Sequence, residues 1–203
     1  MIIRKINKED LMTRVEWMNN PRVYQSMHFN LPITIEDTLK WYRKNFSDNS
    51  RVDVAFADSH EKLVAMGGLT HIDWTVKKAE LYIFINPEIH GKGFGTYSTA
   101  LLCNYGFDEL GLNKIYLYTN EDNLAARKVY ERIGFQLEGH LRHEIITANG
   151  VFQDRLYYGI LKNEFNREQL NEMSPSVKAC GGIQLIITDS RLPENPAGIT
   201  CNI

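Results

Sequence analysis

Hydrophobic residues fall in short blocks along most of the chain, and their spacing predicts strands alternating with amphipathic helices. Runs rich in β-branched and aromatic residues predict strands at 1–6, 52–57, 63–71, 81–86, 114–119, 135–148 and 151–161. Helical spacing of apolar residues predicts helices at 11–19, 94–110 and 124–133, and a further helix after a capping Thr34. Asn149-Gly150 predicts a tight turn between the last two of these strands.

Smaller features refine these elements. Asp10 is placed to cap the first helix, and Cys103 falls inside the helix 94–110 as a small core residue. Gly67-Gly68 lies within a predicted strand, which indicates either a bulge or a close approach of a neighbouring backbone.

The stretch 81–111 has the pattern of a phosphate-binding turn. An apolar strand ends at Pro87, three glycines follow at Gly91, Gly93 and Gly95, and helical spacing begins at Phe94. The first turn of a helix has N–H groups without internal partners, and glycines let an anion approach them closely. Lys92 adds positive charge at the rim, so this stretch predicts a site for a phosphorylated ligand.

The same stretch does not match the best-known nucleotide motifs. It contains no Gly-Lys-Ser/Thr, which excludes a nucleoside triphosphate P-loop. A dinucleotide fold would place Gly-x-Gly-x-x-Gly near the start of a βαβ unit, whereas here the glycines follow several predicted strands.

The next elements complete a second pattern. The strand 114–119 leads into the turn 120–123, where Asp122 or Asn123 can cap the helix 124–133, and Gly134 is placed to end that helix.

Together these two patterns resemble the GNAT superfamily of N-acetyltransferases, over roughly residues 2–163. His90-Gly91-Lys92-Gly93-Phe94-Gly95 resembles the acetyl-CoA loop of that family, with His90 in place of the usual Arg or Gln. A second family signature is complete in Asn123, Ala126, Tyr130, Gly134 and Phe135.

The resemblance implies a fold, a division of the chain and a cosubstrate. The fold would be a layered α/β (α+β) one, with a mixed, mostly antiparallel central sheet, a splayed pair of parallel strands and flanking helices. The acetyltransferase domain would span 1–165, followed by a C-terminal extension, 166–203, of unknown role. The cosubstrate would be acetyl-CoA, with no metal, held by Ile83, Phe84, Ile85, His90, Gly91, Lys92, Gly93, Phe94, Gly95, Thr96, Asn120, Asn123 and Ala126.

Transfer of acetyl to an amine requires one proton to leave the ammonium and one to reach the departing thiolate. By resemblance, Tyr130 is the acid that protonates the sulfur, although its helical spacing also fits an ordinary core stripe. Glu80, at the start of the central strand, is the candidate base; it could equally be a charge at a strand end. His71 and Asp73 are alternative bases.

The acceptor is expected to be a primary amine, which belongs to a small molecule in the first two of three classes that stay open. Met27, His28, Phe29 and His71 are the candidate acceptor residues, and the first three could simply pack in a core. The segments around them look more like enzymes of nucleotide-linked amino sugars than like spermidine N-acetyltransferases, and a protein amino terminus is the third class. A non-catalytic acyl-CoA-binding protein is the alternative outside enzymes.

Composition limits the number of domains, the classes of partner and the compartment, and it is consistent with the predicted fold. A chain of 203 residues with 43% hydrophobic and 24% charged residues suits one moderate domain. A net charge of −2 without a dense basic cluster argues against nucleic acid, and no membrane span or signal peptide is evident. Because neither a signal peptide nor a membrane span is evident, a reducing cytoplasm is expected. The three cysteines show no metal-ligand spacing, and a homodimer or higher oligomer is open.

Overall fold

The structure is a computed structural model that describes residues 1–27, 29–58, 60–147, 150–168 and 170, and the backbone of 184–186. Its strands are β1 Ile2–Lys5, β2 Val52–Ala57, β3 Leu63–Asp73, β4 Lys78–Ile85, β5 Lys114–Asn120, β6 Gln136–Ile146, β7 Phe152–Leu161 and β8 Gln184–Ile186. Its α-helices are α1 Leu11–Met18, α2 Pro21–Tyr24, α3 Ile35–Asn45, α4 Phe94–Asn104 and α5 Leu124–Ile133. A 3-10 turn, Lys8–Asp10, precedes α1.

All described strands join one sheet, in the order β6-β7-β5-β4-β3-β2-β1-β8. The pairs are antiparallel except for β4–β5 and β1–β8. β4 and β5 are paired only from Lys78 to Glu80, opposite Lys114 to Tyr116, and the two strands continue without further pairing to Ile85 and Asn120. The predicted fold class is therefore confirmed, including the splayed parallel pair.

Two hydrophobic cores lie on opposite faces of this sheet. Alternate residues of β4 show the division, because Ala79 and Leu81 belong to the larger core whereas Phe84 belongs to the smaller one. The larger core includes Leu101 and Leu102 of α4, and the smaller one includes Trp17 of α1. The sheet thus places α4 on one face and α1 on the other.

Several details differ from the sequence predictions. Asp10 makes no side-chain cap on α1, because Asn7 caps the preceding 3-10 turn and Asp10 instead pairs with Arg4 at 2.7 Å. The predicted helix 94–110 is α-helical only to Asn104 and then continues as a π-helical turn, Tyr105–Glu109.

Two described residues of the predicted extension, 166–203, contact the predicted domain. Leu170 is buried in the larger core beside Phe165, the last residue of that domain, and Arg167 pairs with Asp108 at 2.6 Å. The backbone of β8 adds a parallel strand beside β1. Most of the extension, and Asn149 of the predicted Asn149-Gly150 turn, lie outside the described residues.

A neighbouring backbone approaches Gly67 and Gly68 closely, and they do not form a bulge, since the register irregularities of β3 lie at Leu63–Ala65 and Thr70–Asp73. A Cβ built on Gly68 would lie 2.4 Å from the carbonyl oxygen of Val52.

Gly68→Ala must therefore separate β2 from β3, and we expect it to lower the free energy of unfolding by about 1–3 kcal/mol. Urea denaturation measures this. Gly139→Ala is the control, because its nearest contact would be at 3.7 Å, and an equal loss in both variants would contradict the argument.

Cys103 is fully buried in α4, and burial raises the pKa of its thiol well above its usual value. It is therefore the core residue that the sequence predicts. Among the described residues, none of the helices has the length and apolar character needed to cross a membrane.

Candidate active site

A cavity of about 690 Å³ opens where β4 and β5 separate. Its walls come from the end of β4, the glycine turn, the start of α4, the end of β5 and α5. The predicted cosubstrate residues that line it are Ile83, Phe84, Ile85, His90, Gly91, Gly93, Phe94, Gly95, Thr96, Asn120, Asn123 and Ala126. Tyr130 and Met27 line it as well, whereas Lys92 is exposed nearby and does not.

The glycine turn has the conformation that its residues permit. Gly91 and Gly93 have φ angles of +78° and +84°, in the left-handed region, and a Cβ on either would meet nothing within 4 Å. Gly93 is the N-cap of α4 and provides no side-chain acceptor for the first helical turn. The first turn of a helix is the kind of site that binds an anion, and binding of a phosphate at this end of α4 stays a prediction.

Gly95 and His90 complete the turn. Gly95 is helical, and a Cβ on it would make only an ordinary contact of 3.6 Å with Ile85. His90 is exposed where it lines the cavity.

The opposite wall is fixed by the start of α5. The side-chain oxygen of Asn123 accepts a hydrogen bond from the backbone N–H of Ala126 at 3.1 Å, so Asn123 is the cap of α5. Asn120 at the end of β5 is buried, with 3% of its surface exposed. Both residues line the cavity, and their contacts with a cosubstrate stay a prediction.

Tyr130 projects from α5 into the same cavity. Its ring packs against Phe135 and Tyr158, with centroid distances of 5.8 and 6.2 Å. Its hydroxyl makes no hydrogen bond to any residue in the described part of the chain. Burial raises the pKa of Tyr130 to about 12, and the charge of Arg155 partly opposes this. The phenol is therefore protonated at neutral pH and has a proton to donate.

Glu80 lies at the point where β4 leaves β5, and it does not line the cavity. Its Oε2 is 3.1 Å from Nδ1 of His71. The sequence presents these two residues as competing candidates for the base, and the structure brings them into contact. Asp73, the third candidate, instead accepts hydrogen bonds from the backbone N–H groups of Thr75 and Val76.

A cluster of three tyrosines, Tyr116, Tyr118 and Tyr157, lies on the Glu80 face of the sheet and was not predicted. Their ring centroids are 5.1 to 6.0 Å apart, and Tyr118 also lines the cavity. Burial, followed by the charge of Glu80, raises the pKa of Tyr116 to about 12. Strand alternation puts Tyr116 and Tyr118 on one face, but only the β5–β7 pairing adds Tyr157.

The candidate acceptor residues separate into different environments. Met27 and Phe29 both pack against the smaller core, as an ordinary packing role predicts, and Met27 also lines the cavity. His71 contacts Glu80 and does not line the cavity. His28 lies outside the described residues.

Within the described ranges, one group of side chains has donor atoms close enough to hold a cation. Glu121, His140 and Asp154 each offer one atom within 4.8 Å of the others. Here Nε2 of His140 lies 2.8 Å from Oδ2 of Asp154, which a hydrogen bond explains without an ion. Glu121 and His140 are exposed and Asp154 is partly buried, and the group is not one that the sequence singled out.

Comparison with known proteins agrees with this geometry. The model of the acetyltransferase (GNAT) domain matches residues 1–136. The spermidine N(1)-acetyltransferase of Vibrio cholerae is 33% identical over 171 residues, covering 83% of this chain and 98% of the relative.

Two solved structures of the Vibrio cholerae spermidine N-acetyltransferase have the same fold. One, in complex with CoA and spermine, aligns with a TM-score of 0.77 and 30% identity, covering 80% of this chain and 95% of that one. The other, described as dodecameric, aligns with a TM-score of 0.71 and 28% identity, covering 82% and 96%. Neither is an enzyme of nucleotide-linked amino sugars. The chain therefore belongs to the GNAT family and is an acetyl-CoA-dependent N-acetyltransferase.

Proposed function

We propose that the acceptor is a polyamine of the spermidine type, one primary amine of which receives the acetyl group. The observation that carries this proposal is likeness over nearly the whole length of a spermidine enzyme, one structure of which holds CoA together with spermine. A polyamine replaces the nucleotide-linked amino sugar that the sequence segments around Met27 favour. The relatives named above give no support to an amino-sugar acceptor.

The cavity supports the binding mode of acetyl-CoA. The first turn of α4 would bind the pyrophosphate through backbone N–H groups, with Gly91 and Gly93 leaving room for it. Residues Ile83 to Ile85, which have no ladder partner on β5, would bond the pantetheine arm as an added strand does. These contacts direct the thioester toward the separation of β4 and β5.

The two proton transfers are then assigned to separate residues. Glu80 would accept a proton from the acceptor ammonium, directly or through water, so that the free amine can attack the thioester carbon. The tetrahedral intermediate collapses by breaking the C–S bond, and Tyr130 would give its proton to the departing sulfur. The raised pKa of Tyr130 supports this, because the phenol stays protonated until the thiolate forms.

The tyrosine cluster supports a cationic acceptor. Aromatic faces attract ammonium groups, and three cations of the chain already lie over these rings: Lys78 over Tyr116, Lys114 over Tyr157 and Arg155 over Tyr118. Gly139 is opposite Tyr157 in the β6–β7 ladder, so that position of β6 places no side chain over the ring. The carboxylate of Glu80 adds negative charge to the same surface.

Release of free coenzyme thiol from acetyl-CoA tests the reaction and the acceptor together. The acceptors are spermidine, a nucleotide-linked amino sugar, a peptide with a free amino terminus and a monoamine. Turnover with spermidine at the highest kcat/KM is the expected result. A preference for another acceptor overturns the polyamine proposal, and acetyl-CoA binding without any turnover points to the acyl-CoA-binding alternative.

Tyr157→Leu tests the tyrosine cluster, because Tyr157 belongs to the cluster but does not line the cavity. Loss of one aromatic face is expected to weaken ammonium binding by about 1 kcal/mol, or about fivefold in the KM for spermidine. The KM for acetyl-CoA and the KM for the monoamine serve as internal controls. Equal changes in all three constants would mean that the ring is structural only.

We also propose that the chain assembles with copies of itself. One related structure is dodecameric, and apolar side chains are exposed at the end of β6, Ile146, at the start of β7, Phe152, and at the neighbouring Val151. Light scattering measures the mass of the particle in solution, and a monomer at micromolar concentration would contradict this.

A further inference from the structure

The pairing of His71 with Glu80 indicates a route for the proton that leaves the acceptor. Oε2 of Glu80 and Nδ1 of His71 are 3.1 Å apart, which is hydrogen-bond distance. The two side chains differ in exposure, with 25% of the Glu80 side chain and 74% of the His71 side chain accessible. A partly buried carboxylate is therefore connected to solvent through an exposed imidazole.

The backbone holds His71 in this position at some cost. Its φ angle is +50°, in the left-handed region, where non-glycine residues are uncommon. It lies within the irregular register of the β3–β4 ladder, between Thr70 and Asp73. Thr70 pairs with Glu80 in that ladder, and its hydroxyl oxygen lies 3.3 Å from Nδ1 of His71. This irregularity turns the imidazole toward Glu80, and such outliers are enriched at functional sites.

The groups around Glu80 leave His71 as the best proton acceptor. From β5, Tyr116 and Tyr118 face it, and the pKa of each phenol is raised, chiefly by burial and then by the charge of Glu80. From β7, Arg155 faces it, and a guanidinium has no site to accept a proton. The exposed imidazole is the group here that can both accept a proton at one ring nitrogen and release one to water from the other.

We infer that His71 is the proton-transfer partner of Glu80, carrying the proton of the acceptor ammonium from the carboxylate to solvent. The ammonium gives a proton to Glu80, which then donates from its O–H to Nδ1 of His71. The resulting imidazolium releases a proton from Nε2 to water, and the exposed ring recovers its original tautomer by exchange with solvent. No other atom changes its bonding, and Glu80 is again a carboxylate for the next turnover.

This inference rests on the proposed role of Glu80 as the base. The variants must therefore distinguish a failure of the Glu80 role from a failure of the His71 role. His71→Asn keeps a residue that tolerates the left-handed backbone but has no imidazole, and His71→Gly leaves space for added imidazole. Glu80→Gln removes the base itself. His60→Asn is the matched control, because His60 is exposed in the turn between β2 and β3.

The experiment measures kcat by thiol release with the full chain and spermidine, or whichever acceptor the wild type uses. We expect both His71 variants to lose about 10-fold in kcat with unchanged KM for acetyl-CoA. Imidazole in the buffer should restore His71→Gly in proportion to its concentration, and it should restore neither Glu80→Gln nor His71→Asn. A purely structural role of His71 would not give this rescue.

Two other results are decisive. If Glu80→Gln is impaired while the His71 variants match His60→Asn, the role of His71 is refuted and that of Glu80 survives. If Glu80→Gln is as active as the wild type, or the wild type uses none of the acceptors, the proposed base fails and the inference about His71 fails with it.

Discussion

Replacing Gly93 by valine is expected to abolish acetyl-CoA binding at ordinary concentrations. Gly93 has a φ angle of +84° at the N-cap of α4, and a β-branched residue there is strained and turns its side chain into the cavity that Gly93 lines. Loss of about two N–H bonds to a charged phosphate costs about 3 kcal/mol, or about 100-fold in Kd. Isothermal titration with CoA measures this directly.

Gly111→Val is the matched control for backbone strain. Gly111 has a φ angle of +65°, a Cβ on it would meet nothing within 4 Å, and it does not line the cavity. The two variants should therefore lose similar stability in thermal unfolding, while only Gly93→Val loses CoA affinity. Normal CoA affinity in Gly93→Val would refute the assignment of the glycine turn to the pyrophosphate.

Replacing Tyr130 by phenylalanine is expected to lower kcat by about 10-fold or more, because a positioned general acid contributes at least that much. The KM for acetyl-CoA should change little, since the ring keeps its contacts with Phe135 and Tyr158 and loses only a hydroxyl without a hydrogen bond to any described residue. Steady-state kinetics with spermidine and thiol release measure both constants. Phe135→Leu is the control for packing, because it disturbs the same ring contact and leaves the phenol in place.

The pKa of Tyr130 also fixes the expected pH dependence. Because its folded pKa of about 12 lies above the ordinary value of 10, the phenol keeps its proton across the working range of the enzyme. The alkaline limb of the kcat profile should therefore not come from Tyr130 below about pH 11. The same upward shift of the Tyr130 pKa contributes to the free energy of unfolding. That contribution is fully present below pH 10 and disappears as the pH rises toward 12. A wild-type kcat equal to that of Tyr130→Phe at every pH would rule out Tyr130 as the general acid.

The sequence determined the architecture around the cavity, because each signal there is local. A strand ended by Pro87, glycines at positions that need left-handed backbone, and Asn123 at the start of α5 are encoded within a few residues of one another. Such local rules depend on φ angles and unpaired N–H groups, so they hold before any tertiary contact forms. The location of Tyr130 in the cavity followed from the same signatures.

Only the tertiary structure decided which residues of different strands come into contact. His71 and Glu80 are nine positions apart in the chain, and their contact depends on the irregular register between β3 and β4. Tyr157 joins Tyr116 and Tyr118 only because β7 pairs with β5. The Asp10 side chain pairs with Arg4 instead of capping α1. Strand register and the choice between competing hydrogen bonds depend on the assembled sheet, and no local pattern specifies them. The sequence therefore determined where acetyl-CoA is expected to bind, while the tertiary structure decided which groups surround the acceptor side of Glu80.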